Sequence, residues 1–311
     1  MKILITGIHG FVGSNLVSAL KINHTIYGLD IISPEKDGVI KTFSWDDAEA
    51  KKFSLLPSID TIIHLAAKAH DTKNKSEAQA YFDINLGLTQ KIFDYFLQSK
   101  VRKFIFFSSV KAAADSVEGD ILIEEVVPKP VGPYGESKIA AEKYIQSQEW
   151  KDKEVYILRP CMIHGPGNRG NLNLLYYVVA KGIPWPLGAF ENRRSFTSID
   201  NLSFVVGQII EKNIDSGIYN MADDETLSTS ELIELIAASR NRKPVIWKMN
   251  KAFINRIAQI GTVCKLPLNT ERLRKLTENY VVSNLKMKEA LGIDRLPVDV
   301  RTGIKRTLET F

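Results

Sequence analysis

Short apolar runs alternate with longer stretches of helical period along the first half of the chain. KILITG (2–7), TIYGLD (25–30), TIIHLA (61–66), KFIFFS (103–108) and VYILRP (155–160) are almost wholly apolar, as parallel strands covered on both faces should be. Between them, residues 11–22, 76–99 and 135–149 space their apolar positions as helices do. Strand and helix in strict alternation predict an α/β fold with a doubly wound parallel sheet and right-handed crossovers. The pattern changes after Pro160. GPGNRGN (165–171) reads as a loop, 172–181 as a helix, and IPWPLG (183–188) cannot be a central strand because its prolines lack the ladder N–H. GIYNMA (217–222) is a further strand, and Ser228 or Ser230 can cap the helix that carries ELIELIAAS. The last fifty residues read as mostly helical, punctuated by Pro267 and Pro297. The expected division is residues 1–160 around the sheet, with returning elements near 195–222, and a smaller, interleaved lobe over 161–311.

Composition narrows the class only slightly. With 44% apolar and 25% charged residues in 311, the chain is of ordinary globular type. Forty-one Lys/Arg against 36 Asp/Glu give a net charge of +5. That excess reads as spread along the chain without a block of like charge, so neither a nucleic-acid nor a membrane partner is expected. Cys161 and Cys264 lack metal-ligand spacing and read as reduced thiols, no metal is expected, and no run is long enough to span a bilayer. Gly7, His9 and Gly10 interrupt the apolar start, which argues against a signal peptide. A cytoplasmic location is the expectation.

The first chemistry lies at the first strand. Gly7, Gly10 and Gly13 form G-x-x-G-x-x-G directly after it and at the mouth of the first helix. Glycines there permit a tight turn and let backbone approach a pyrophosphate seated on the helix N-terminus. Asp30 ends the second strand, 17 residues after Gly13. A carboxylate at that point accepts ribose hydroxyls and repels a 2′-phosphate, which favours NAD over NADP.

The glycine spacing GIHGFVG, HLAA at 64–67 and Asn85 in INLGLT resemble the extended short-chain dehydrogenase/reductase family, more narrowly its NAD-dependent epimerase/dehydratase branch. The resemblance covers nearly the whole chain and weakens after about residue 240. It implies a Rossmann-type fold and an NAD groove lined by Phe11, Val12, Leu65, Ala66 and Ala67. It also implies that Asn85 hydrogen-bonds near the nicotinamide ribose, and that the protein works as a homodimer, with helices 76–99 and 135–149 at the contact.

Tyr134 and Lys138 make Y-x-x-x-K, four residues apart on one helical face. A cation beside the phenol favours phenolate and lowers a pKa of about 10, making the tyrosine a usable general base or acid. Tyr177 and Lys181 match by chance as well, and are read as packing. Context selects Tyr134: it opens a helix downstream of KFIFFSS, whose carboxyl end should meet the ligand and place Ser109 against a reacting oxygen. Ser108 is the neighbouring alternative. In the family that this chain resembles, the corresponding serine, tyrosine and lysine are the catalytic set.

The resemblance also supplies the substrate class, nucleotide sugars. RRSFTSIDNL (193–202) is similar to the segment in which an arginine meets the diphosphate, matching Arg194 first and Arg193 second. Asn171 matches a diphosphate or sugar contact, and Arg274, with Arg272, is a candidate to close the site. Met162 stands where the family often has a substrate-touching asparagine, and the Thr-Asp-Glu run of 4,6-dehydratases is replaced by Ser109-Val110-Lys111. Dehydration is therefore set aside. The expected activity is 4-epimerisation of UDP-glucose/UDP-galactose or the N-acetyl forms. The alternatives are an NADH-dependent reductase of nucleotide-linked 4-keto sugars in polysaccharide biosynthesis and, more remotely, a non-catalytic NAD(P) sensor.

Overall fold

The computed structural model describes residues 1–69, 77–168, 170–266 and 269–311. The expected strands form at β1 (Lys2–Thr6), β2 (Thr25–Asp30), β4 (Thr61–His64), β5 (Lys103–Phe107), β6 (Glu154–Pro160) and β9 (Gly217–Met221). A further strand, β3 (Lys41–Ser44), completes a seven-stranded sheet of order β3-β2-β1-β4-β5-β6-β9 in which every pair is parallel. The order reverses between β1 and β4, and such a switch point opens a ligand crevice at the strands' carboxyl ends. A short parallel pair, β7 (Met162–His164) with β8 (Phe196–Ser198), stands apart from this sheet.

Alternation along the strands builds two cores. Ile3 and Ile5 face one side, against α1 (Phe11–Leu20), α8 (Ile199–Glu211) and α12 (Leu285–Leu291), where Leu16, Leu202, Val206 and Met287 meet them. Leu4, Ile62, Phe104 and Phe106 face the other side. There they meet Ala48 of α2 (Trp45–Ala50), Phe93 and Phe96 of α4 (Gly87–Gln98) and Ile145 of α6 (Pro133–Ser147). Truncating one such ring to alanine costs about 3–5 kcal/mol. The C-terminal half returns to the sheet more widely than 195–222, since α12 also lies on its surface.

The segment read as one helix over 76–99 is two, α3 (Ala78–Asn85) and α4, separated at Leu86; residues 70–76 lie outside the described residues. Thr89 Oγ1 donates to the Asn85 carbonyl at 2.6 Å, a side-chain capture that competes with the helix ladder at this break. The short α5 (Val110–Ala113) follows β5. The second lobe packs α7 (Asn171–Ala180), α9 (Thr229–Ser239) and α13 (Val300–Leu308) through Leu172, Ile236 and Ile304. Ser228, not Ser230, caps α9, in a capping box with Glu231. A smaller cluster joins α10 (Lys251–Val263) and α11 (Thr270–Thr277) to Trp185 and Leu187. Tyr177, expected as packing, is 61% exposed on α7.

The even spread of charge expected along the chain does not hold. Residues 240–276 carry ten Lys/Arg and one acid, Glu271, so the other residues together are net negative. The excess is concentrated on α10, α11 and the segment before them.

Candidate active site

The glycine loop is dictated by close approach. Gly7 has φ +68°, and a Cβ there would lie 2.9 Å from the Ala66 nitrogen. At Gly13 a Cβ would lie 2.6 Å from the Gly7 carbonyl oxygen and 2.8 Å from Ile8 Cα. Both collisions are with backbone, so a side chain would force the turn open. Gly10 is the N-cap of α1, and no acid occupies the first turn, where Phe11 and Val12 lie. The N–H groups and dipole of that turn therefore face the crevice without a competing anion. Asn15 Nδ2 donates to the carbonyls of Phe11 at 2.9 Å and Pro166 at 3.1 Å, holding the 165–168 loop beside this helix mouth.

Asp30 Oδ2 accepts from the His9 N–H at 2.9 Å and Oδ1 from Ile31 at 2.8 Å, so the carboxylate is fastened against the glycine loop. Beyond it Ile31 and Ile32 are 81% and 61% exposed, apolar surface on which a base can stack. Leu65 and Ala66 both donate backbone N–H to Thr6 Oγ1 at 3.1 Å, and with Ala67 they carry β4 on, partly buried, toward the same groove. A cradle that any Cβ would fill, an acid-free helix N-terminus and a carboxylate at the end of β2 beside the glycine loop fit NAD.

Asn85 does something other than expected. It is fully buried, its Oδ1 accepts from the Lys68 N–H at 2.7 Å, and its two amide hydrogens go to Lys68 O at 3.2 Å and Ser137 Oγ at 2.9 Å. No amide hydrogen is left over for a ribose; the residue ties the loop after β4 to α6. It closes a buried chain in which Thr6 Oγ1 bonds His64 Nδ1 at 2.6 Å and His64 Nε2 bonds Thr89 Oγ1 at 3.0 Å. Burial, with Lys138 nearby, pushes the His64 pKa down to about 3. His64 is thus neutral when folded and ordinary (about 6.5) when unfolded. The unfolded chain binds more protons between those values, so stability is expected to fall as pH drops below about 6.5. Urea midpoints of His64→Gln across pH 4–7 are expected to show a flatter slope than those of the wild type.

Ser109, Tyr134 and Lys138, the expected trio, gather at the carboxyl end of β5. Ser109 is the N-cap of α5, its Oγ accepting from the Lys111 N–H at 3.2 Å, and its hydroxyl acts to lower the Tyr134 pKa. A Cβ on Gly135 would lie 2.5 Å from the Lys111 carbonyl oxygen, so the glycine after Tyr134 lets α6 press against α5. Lys138 is 3% exposed; its Nζ donates to the Phe107 carbonyl at 2.7 Å and lies 5.0 Å from the centre of the Phe106 ring. Desolvation lowers its pKa to about 8, with Glu142 opposing. The depressed phenol expected of Tyr134 is not found. Burial raises its pKa, the Ser109 hydroxyl offsets that only in part, and the Lys138 ammonium is turned to the Phe107 carbonyl.

Behind the trio sits a group that the sequence reading missed. Glu142, on the same face of α6 as Tyr134 and Lys138, is fully buried and accepts from Arg159 Nε at 3.0 Å and Nη2 at 2.6 Å. Ser108 Oγ donates to Glu142 as well, which removes Ser108 from the reacting side. Position alone, four residues beyond Lys138, was the available signal.

The arginines divide. Arg194 is half-buried, its Nη1 donates to the Lys275 carbonyl at 2.8 Å, and burial lowers its pKa while Glu278 opposes. Arg193 is exposed, with its backbone fixed between Asn279 and Tyr280. Arg274 pairs with Asp115 at 3.1 Å and Glu278 at 3.0 Å, so it clamps α11 to the turn beside Ser109, a structural engagement where a substrate contact was expected. Lys111 completes this cluster, 4.5 Å from the Tyr280 ring centre and 3.2 Å from Asp115. The Asn171 side chain lies outside the described residues. Met162 is 37% exposed. His164 is buried, bonded to Thr307 at 2.9 Å and 3.5 Å from Asp223, with no part in the site.

Residues 3–222 match the model of the NAD dependent epimerase/dehydratase family. The chain belongs to that family. It is 31% identical to a UDP-glucose 4-epimerase of Vibrio cholerae over all of this chain and 95% of the relative. It is 27% identical, over 99% of this chain and 94% of the relative, to an Escherichia coli O157:H7 protein named N-acetyl-alpha-D-glucosaminyl-diphospho-ditrans,octacis-undecaprenol 4-epimerase. Among solved structures, MoeE5 in complex with UDP-glucuronic acid and NAD superposes with a TM-score of 0.77 at 20% identity, covering all of this chain and 98% of that one. That last likeness speaks for the epimerase/dehydratase fold alone.

Proposed function

We propose that this family member is an NAD-dependent 4-epimerase of UDP-linked sugars, glucose/galactose or their N-acetyl forms, acting through a 4-keto sugar. The observation that carries the reading is Ser109 capping α5 at the end of β5, Tyr134 on the turn of α6 that Gly135 lets press against α5, and Lys138 fixed behind them. Bound NAD supplies the hydride acceptor and donor and, while oxidised, a positive charge that favours the Tyr134 phenolate. Tyr134 takes the C4 hydroxyl proton as that carbon becomes a ketone, and returns it when the ketone is reduced on its opposite face. Ser109 Oγ holds the reacting oxygen. Arg194 meets the diphosphate with its fixed donor fork, and Arg193 lies at the rim. The 31% identity to the Vibrio cholerae enzyme over the whole chain supports epimerisation over reduction.

The test is a panel of UDP-sugars, together with a sugar diphosphate on a polyprenol, assayed with and without NADH. Interconversion of C4 epimers without added cofactor is expected. NADH oxidation on a UDP-4-keto sugar with no epimerisation would move the assignment to a reductase. Retained NAD with no turnover would make the protein a sensor. Arg194→Ala is expected to raise KM about 10–100-fold with little change in kcat, from the loss of one charge-assisted contact. Steady-state kinetics on the preferred sugar check this.

We infer a cytoplasmic homodimer. Both cysteines are free, and no helix among the described residues is long and apolar enough to cross a membrane. Leu88 and Tyr95 of α4 and Tyr144 of α6 are only partly buried in a single chain, which suits the pairing of these helices with a second copy.

A further inference from the structure

The concentration of charge on residues 240–276 coincides with a group of exposed apolar side chains in the second lobe. In α10, Ile254, Ala258 and Gly261 are buried, which holds this helix to Leu187 and Leu273. The opposite side carries Phe253, Ile260 and Val263, which are 52%, 59% and 84% exposed, together with exposed Arg256. At 100° per residue these four positions fall within about 80° of the helix circumference. Trp247, 54% exposed, stands just before the helix and Leu266, 49% exposed, just after it. Around them lie exposed Lys243, Lys248, Lys251 and Lys265, and α10 itself holds no acid.

We propose that this surface docks on an anionic lipid bilayer. An exposed aliphatic and aromatic stripe flanked by Lys and Arg is the composition that seats a helix at the headgroup–acyl boundary, with lysine stems reaching back to lipid phosphates. Its charge complements an anionic surface, while the remainder of the chain is net negative and would face away. A second copy is a poor occupant: a two-fold contact through this patch would set Lys251, Arg256 and Lys265 against their own counterparts. A nucleic-acid backbone would meet the lysines but leave Phe253, Ile260 and Val263 uncovered. None of these residues touches the trio or the glycine loop, so the proposal stands whichever sugar is turned over.

The test is flotation of the full-length protein with vesicles of phosphatidylcholine alone or with about a third phosphatidylglycerol. Partition to the anionic vesicles only, weakened by high salt, is expected. Removing four charges in Lys248→Ala/Lys251→Ala/Arg256→Ala/Lys265→Ala is expected to weaken partition at least a hundredfold, from about fivefold per charge. Phe253→Ser/Ile260→Ser/Val263→Ser is expected to weaken it about tenfold or more. Both variants should retain wild-type turnover of a soluble sugar, which establishes their fold. Val263→Asp, at an 84% exposed position, gives the same reading with no packing lost. No flotation of the wild type at low salt would overturn the proposal, as would partition indifferent to all these substitutions. So would a concentration-dependent dimer, or duplex-DNA binding, that the charge variant abolishes while vesicles are ignored.

Discussion

Tyr134→Phe is expected to lower kcat by about 10²–10⁴, the range lost when a positioned acid/base group is removed. KM should move little, because the phenyl ring keeps its place against α5. The phenol is raised by burial and relieved in part by Ser109, so in the cofactor-free protein it is neutral at working pH. The base form therefore depends on charge brought to the site, and the pH–rate profile of the loaded enzyme should rise at far lower pH than a titration of Tyr134 in the free protein. Ser109→Ala is expected to lose turnover and also to loosen α5, whose N-cap it supplies. Stopped-assay rates across pH 6–10, paired with phenolate absorbance, measure both.

That Ser109, Tyr134 and Lys138 come together was legible because the spacing is local: Tyr134 and Lys138 lie four residues apart on one helix, downstream of a strand whose end must face the crevice. The glycine loop was legible for the same reason, each glycine answering a backbone collision within one turn. The sheet was read through its apolar runs, and β3 escaped because KTFS is four residues long with one fully apolar position. For Arg274, expected at the substrate, the pairing with Glu278 is local, but the ion pair with Asp115 spans 159 positions, which no single-residue reading weighs. Asn85 failed likewise, its partner Ser137 lying 52 residues away. The charge of the second lobe was in plain view, but a whole-chain sum hides a local excess that an opposite remainder cancels.

Glu142→Ala is expected to destabilise the protein by about 3–5 kcal/mol, since it leaves Arg159, 1% exposed, charged and without its counter-ion. Replacing both partners by apolar residues, as in Glu142→Met/Arg159→Leu, should cost far less, which chemical denaturation of the single and double variants will show. The pair also bears on catalysis. Glu142 acts to raise the Lys138 pKa against desolvation. Glu142→Gln should therefore bring the alkaline limb of the pH–rate profile below about 8, where a purely structural loss would lower the rate at every pH alike. Lys138 itself binds its proton less tightly folded than unfolded. Between about 8 and the ordinary 10.4 the unfolded chain holds more protons, so this residue's contribution to stability improves as pH rises through that window.

The seventh strand of the main sheet arrives late. β9 pairs with β6 only after the chain has made β7, α7, β8 and α8. Until about residue 221 leaves the ribosome, β6 is an open edge, and the strand left bare is the one that carries Arg159. A fragment ending at 160 would hold every residue of the glycine loop and the trio, yet offer a row of unpaired N–H and C=O groups to any neighbouring chain. The half that holds the trio is thus complete in sequence long before its sheet edge is covered, and synthesis must run past it to prevent edge-to-edge pairing of unfinished chains.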